Sequence, residues 1–146
     1  MRIAVDFDGT VVEHRYPEMG DERPMATMTL RQLQEDGHQL ILWTVREGEL
    51  LTQAVEWCRE RGVEFYAVNA NYPDQTEEDN HYARKITADL YIDDRNVGGL
   101  PHWSVIYQLI RRGYDLQHYI RKEVRSEMER QAAQKPKSFW QRLFAK

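Results

Sequence analysis

The chain has 146 residues, 41% hydrophobic and 30% charged, with a formal net charge of -4. That length fits one domain with a real core, burying roughly 68–70% of the surface its unfolded chain exposes. The acidic balance excludes a general electrostatic attraction to nucleic acid or anionic membrane, and no apolar run approaches the roughly 20 residues of a transmembrane span.

The predicted elements alternate. Residues 2–8, Arg2-Ile3-Ala4-Val5-Asp6-Phe7-Asp8, form a near-continuous apolar strand of the kind buried on both faces of a parallel sheet. Met25, Met28, Leu30 and Leu33 recur near helical spacing and predict a helix over 25–36, ended by Gly37. A second strand follows over 38–44, then a helix over 48–61 closed by Gly62, and a third strand over 63–68. A polar stretch, 69–82, leads to a fourth strand over 89–94. Trp103, Ile106, Tyr107 and Ile110 predict an amphipathic helix that ends before Gly113. This alternation implies an α/β fold: a doubly wound parallel sheet with helices on both faces, a three-layer sandwich. The domain is expected to span residues 1–114.

Residues 115–146 read differently. They predict a polar helix to about residue 133, with Leu116, Tyr119, Ile120 and Val124 as a packing edge, interrupted at Pro136. The end of the chain, 135–146, carries four cations and no acid. It suits a mobile tail or a last helix docked by Phe139, Trp140, Leu143 and Phe144, and its charge also fits a membrane surface or a partner. Cys58 is the single cysteine and sits on an apolar helical face. With no secretory signal visible, this predicts a buried structural thiol in a reducing cytoplasm.

The chemistry collects at strand ends. The first strand ends in Asp6 and Asp8, the second at Thr44 and the fourth in Asp93 and Asp94, while Lys85 precedes the fourth. In a parallel sheet these ends share one edge, where open α/β sheets bind ligands. Neighbouring carboxylates repel and push one pKa upward, and a divalent cation relieves the repulsion. Hard oxygen ligands suit magnesium with a substrate phosphate. A metal, an in-line nucleophile and a cation on the phosphoryl oxygens are what phosphoryl transfer requires. His14, His38, His81, His102 and His118 lack zinc-site spacing, so no zinc centre is expected.

Asp6-Phe7-Asp8-Gly9-Thr10-Val11 resembles the first motif of the haloacid dehalogenase superfamily. Thr44 after Leu40-Ile41-Leu42-Trp43 looks like its second motif, Lys85 like its third, and Tyr91-Ile92-Asp93-Asp94 like its fourth. The four occur in the family's order across residues 2 to about 112, and the whole chain is similar to small bacterial members. The resemblance implies a magnesium-dependent phosphate monoester hydrolase on a Rossmann-like fold. Asp6 would attack phosphorus and form an aspartyl-phosphate. Asp8 would protonate the leaving alcohol and then deprotonate the hydrolytic water. The Asp6 side chain, the Asp8 carbonyl and Asp94 or Asp93 would hold the metal, with Asp94 preferred. Thr44 would hydrogen-bond a phosphoryl oxygen and Lys85 would neutralise its charge. Gly9, Thr10 and Arg46 are expected on the substrate side, Arg46 at the cleft rim with a second phosphate or a carboxylate.

Many members of this superfamily carry a cap domain. Residues 11–24 and 69–84, the two segments where one is inserted, fall far short of the roughly 50 residues a domain needs. A nearly capless enzyme is therefore expected. Its cleft is shielded by a bulky substrate, by a neighbouring copy in a homo-oligomer, or by the C-terminal tail, and the loop Asn69–Asp74 is placed to contact a small substrate. The alternatives are a nucleotide or polynucleotide-end phosphatase or phosphotransferase, which the negative charge disfavours in the polynucleotide case, and a receiver-like signalling module. Receivers carry the phosphorylated aspartate on a later strand, whereas here the aspartate pair opens the chain.

Overall fold

The structure is a computed structural model that describes residues 1–76, 78–79, 85–113, 121–122, 124–126 and 128–130. Four strands, β1 (Arg2–Val5), β2 (Gln39–Leu42), β3 (Ala67–Val68) and β4 (Leu90–Ile92), accompany three helices, α1 (Ala26–Glu35), α2 (Gly48–Glu60) and α3 (Trp103–Arg111). All pairings are parallel and the strand order is β3-β2-β1-β4. The chain winds outward from β1 through β2 to β3, then returns to place β4 on the other side of β1. The winding direction thus reverses between β1 and β4, the point at which such sheets open a ligand crevice.

Alternation along β1 sends Ile3 and Val5 to one face and Ala4 to the other. All three are buried, so the central strand is covered on both sides, as the apolar run predicts. Ala4 lies opposite Ile41 and Tyr91, and Ile41 opposite Ala67. Ala4, Ile41 and Ala67 form a core cluster with Ala70 and Ile86, flanked by Trp43 and Tyr91.

Several elements are shorter than their sequence patterns. β1 stops at Val5 because the next carbonyl-rich turn captures the chain: Phe7 O accepts from the amides of Thr10, Val11 and Val12. β3 keeps only two residues of the expected 63–68. The Val63 amide is used by the Cys58 carbonyl at the exit of α2, so the chain pairs with β2 only later. On α1 the two methionines of the apolar pattern are corrected, while Leu30 and Leu33 are buried as their spacing predicts. Ala26, Leu30 and Leu33 are buried with Thr27 and Thr29, whereas Met25 and Met28 are exposed. Met25 stands at the N-cap with φ +69°, outside the helix. Glu22 takes over the capping, its Oε1 accepting from the Thr27 amide at 3.1 Å and hydroxyl at 2.5 Å.

Residues 11–23 fold back on themselves in a short flap. Glu13 donates to Asp21 O and Arg23 to Val11 O, around an antiparallel bridge between Val12 and Glu22. The chain divides into two compact units, Met1–Tyr107 and Gln108–Lys146. In the second, Val124 is exposed and Arg125 pairs with Glu129 one turn on. Leu116, Tyr119, Ile120 and the tail 135–146 lie outside the described residues. Among the described residues no helix is long and apolar enough to cross a membrane.

Candidate functional site

The turn after β1 carries the site. The Asp6 amide donates to Ile92 O at 3.0 Å, which sets Asp6 beside the end of β4. Thr10 then ties the two strand ends together. Its Oγ1 donates to Asp6 Oδ2 at 2.9 Å and accepts from the Asp94 amide at 2.9 Å. Its carbonyl accepts from Trp103 Nε1 at 3.0 Å, so the first residue of α3 pins the turn from behind. Gly9 has φ +95°, and a Cβ there would lie 2.3 Å from Asp94 Oδ2. Only glycine lets the Asp94 carboxylate rest against this backbone.

Carboxylate oxygens of Asp6, Asp93 and Asp94 lie within 4.8 Å of one another. Asp93 Oδ1 accepts from the Arg95 amide at 2.7 Å. Asp94 Oδ1 is buried and has no hydrogen-bond partner. Burial pushes the Asp6 carboxyl up to about 6 from its ordinary 3.8, and the negative charges of Asp93 and Asp94 add to the rise. Hydrogen bonds from the Thr10 hydroxyl and the Phe7 amide hold it down in part.

Asp8 is turned elsewhere. Its Oδ2 and Oδ1 accept from Arg46 Nε and Nη2, both at 2.7 Å, and the two side chains are 4% and 0% exposed. Arg46 is therefore not at the rim, where its place after Thr44 would put it. A carboxylate buried behind the turn requires a cation, and Arg46 supplies one in a bidentate fork. The same guanidinium donates to the carbonyls of Pro17 and Glu18 at 3.1 and 2.9 Å. It stacks between Phe7 and Tyr16, 5.2 and 5.5 Å from their ring centroids.

Thr44 is braced by Asn69, whose side chain accepts from the Thr44 amide at 2.8 Å and donates to its carbonyl at 2.9 Å. Thr44 Oγ1 accepts from the Arg46 amide at 3.2 Å. Lys85 is exposed, its Nζ 5.4 Å from the Tyr91 ring centroid, and among the described residues it forms no ion pair. The structure thus brings Asp6, Gly9, Thr10, Asp93 and Asp94 together, sets Asp8 with Arg46, and leaves Lys85 on Tyr91. Two supports escape the sequence motifs. Asn69 reads as a loop residue facing a substrate, yet it clamps the end of β2; an Asn just past a strand, with φ +49°, is the available signal. Trp103 reads only as an apolar helix position.

A scan of protein-family models finds no match, and a search of curated proteins finds none. Among solved structures, a conserved protein from Bacteroides thetaiotaomicron is 57% identical, with a TM-score of 0.75. The similarity covers 80% of this chain and 94% of that one. At that identity and coverage, this chain belongs to the same family as the conserved Bacteroides thetaiotaomicron protein.

Proposed function

We propose that this protein is a magnesium-dependent phosphate monoester hydrolase of the haloacid dehalogenase type, with Asp6 as its nucleophile. The observation that carries the reading is the group of three carboxylates, Asp6, Asp93 and Asp94, converging at the reversal of the strand order. The orphaned Asp94 Oδ1 and the all-oxygen donor set fit a hard divalent cation held by Asp6 and Asp94, with Asp93 beside them. When bound, that cation supplies positive charge to these carboxylates and to the phosphoryl oxygens.

Asp6 attacks phosphorus and the ester P–O bond breaks, the departing alkoxide taking a proton from Asp8, the acid this reading assigns; water then cleaves the acyl phosphate and gives its proton back to Asp8, releasing inorganic phosphate and restoring the Asp6 carboxylate. Thr10 holds the second Asp6 oxygen, so that one oxygen is oriented toward the substrate. Thr44, its backbone fixed by Asn69, is proposed to bind a phosphoryl oxygen. With Arg46 committed to Asp8, Lys85 is the proposed cation for the phosphoryl group; its flexible stem is anchored next to buried Ile86. The finer architecture proposed is the three-layer sandwich of that superfamily with no cap domain, in a cytoplasmic protein.

The test is hydrolysis of an aryl phosphate with and without magnesium, in wild type and Asp6→Asn. The expected result is metal-dependent release of phosphate that Asp6→Asn abolishes. Activity that survives Asp6→Asn, or that needs no divalent cation, refutes the mechanism.

A further inference from the structure

Thr10 touches both strand ends that carry the acidic group. Its hydroxyl donates to Asp6 Oδ2 and accepts from the Asp94 amide, each at 2.9 Å. An amide only donates, so the single hydroxyl proton is left for Asp6, and both bonds hold at once only at one setting of the Thr10 side chain. Threonine is stiff at χ1, so that setting follows the backbone of the turn. The Thr10 carbonyl in turn accepts from Trp103 Nε1 at 3.0 Å. Thr10 and Trp103 are 0% and 2% exposed, so water cannot stand in for the indole. Trp103 is itself fixed. The His102 carbonyl accepts from the Val105 and Ile106 amides at 2.8 and 3.1 Å, and the His102 Nδ1 accepts from the Ser104 amide at 3.3 Å, so α3 starts at Trp103. Ile106, one turn on, is buried with it.

We infer that Trp103 is a positioning residue: through the Thr10 carbonyl it sets the hydroxyl that aims Asp6 and holds the Asp94 backbone, and so it sets both the cation affinity of the acidic group and the rate of attack by Asp6. The cation and the attack rest on the phosphatase reading; the hydrogen-bonded path from indole to carboxylate does not. Phenylalanine at this position fills most of the space but lacks the donor. The Thr10 carbonyl, buried and short of that partner, regains one only if its peptide plane turns, and the hydroxyl of the same residue turns with it. The indole is neutral and donates only, so its effect on the carboxylates runs through this geometry and not through charge.

Calorimetric titration with magnesium tests the path without reference to activity. Trp103→Phe should weaken magnesium binding about fivefold and Thr10→Ala about tenfold, with the double variant no weaker than Thr10→Ala alone. Ile106→Val loosens the same helix without removing the Trp103 donor; it should unfold at lower urea and keep its magnesium affinity within about twofold. At saturating magnesium, Trp103→Phe should lower kcat for an aryl phosphate about tenfold and leave KM within about twofold. In wild type, where no core residue is changed, the indole N–H signal of Trp103 should shift on addition of magnesium. Losses of affinity that multiply in the double variant, an equal loss in Ile106→Val, or an indole signal unmoved at saturating magnesium overturns the positioning role. Wild type that binds magnesium with this dependence on Trp103 yet releases no phosphate refutes the phosphatase reading and leaves the placement of the cation standing. Phosphate release and magnesium affinity both unchanged in Trp103→Phe do the reverse. A wild type that binds no magnesium overturns both.

Discussion

Replacing Asp6 with Asn should make the cation-free protein more stable. The Asp6 carboxyl is pushed up to about 6 by burial, from 3.8. A carboxyl with a raised folded-state pKa binds its proton more tightly in the native state, so stability falls as pH rises from 3.8 toward 6 and the penalty is complete above 6. At 1.36 kcal/mol per unit, that penalty is about 3 kcal/mol at pH 7 and about 1 kcal/mol at pH 4.5. Asparagine keeps an oxygen for the Thr10 hydroxyl and offers its amide to Asp93 or Asp94, so the variant escapes most of the penalty. The assay is urea unfolding followed by tryptophan fluorescence, with chelator present, at pH 7 and pH 4.5. Titrating groups away from the site are common to both proteins and cancel in the difference, while Asp93 and Asp94 lose a negative neighbour in the variant, which adds to its advantage at pH 7. Asp6→Asn should gain roughly 2–3 kcal/mol at pH 7 and roughly 1 kcal/mol at pH 4.5. Magnesium at ten times its dissociation constant should narrow the pH 7 gap by about 1.4 kcal/mol, by stabilising wild type alone. An Asp6→Asn protein no more stable than wild type at pH 7, or an advantage that does not shrink toward pH 4.5, refutes the reasoning. Strain of this kind is the usual signature of a site kept for function at the expense of stability.

Three further changes test the scaffold. Gly9→Ala should cost about 1–3 kcal/mol in urea unfolding and weaken magnesium binding about tenfold by calorimetry, because the new methyl meets Asp94 Oδ2 at 2.3 Å on a backbone with φ +95°. Asn69→Gly keeps the positive φ accessible while deleting both hydrogen bonds to the Thr44 backbone, so a loss of about 1–2 kcal/mol isolates the brace; a neutral result would show the end of β2 holds its own shape. Cys58 is buried and its thiol is pushed up to about 12, so iodoacetamide at pH 8 should label it only after unfolding, and rapid labelling of the native protein would contradict its placement.

Much of the frame was legible in the sequence because short-range pattern dictates it. The run Ile3-Ala4-Val5 suits a strand buried on both faces, and its burial agrees. Gly37 and Gly62 mark the ends of α1 and α2 as read. Element lengths were less legible, since they depend on where each amide finds its acceptor. Val63 is drawn off by the end of α2, and Phe7 O closes the turn that ends β1. On α1 the reading held for Leu30 and Leu33 and failed for Met25 and Met28, because Met28 fits helical spacing as well as Ala26 does. The core beside α1 takes the Ala26, Leu30 and Leu33 side.

The site divides in the same way. By itself, the sequence determined the residue types: carboxylates after β1 and β4, a glycine where the backbone must come close, and enough alternation to bring those strand ends to one edge. Which charges meet was decided only by the tertiary structure. Asp6 and Asp8 are equivalent in composition and two residues apart. Successive turns of the backbone send one toward Asp93 and Asp94 and bury the other against Arg46, 38 residues along the chain. No local pattern encodes that choice, because a buried carboxylate selects its cation by distance and geometry in the folded state. The same holds for Trp103, whose indole reaches back 93 residues to the Thr10 carbonyl.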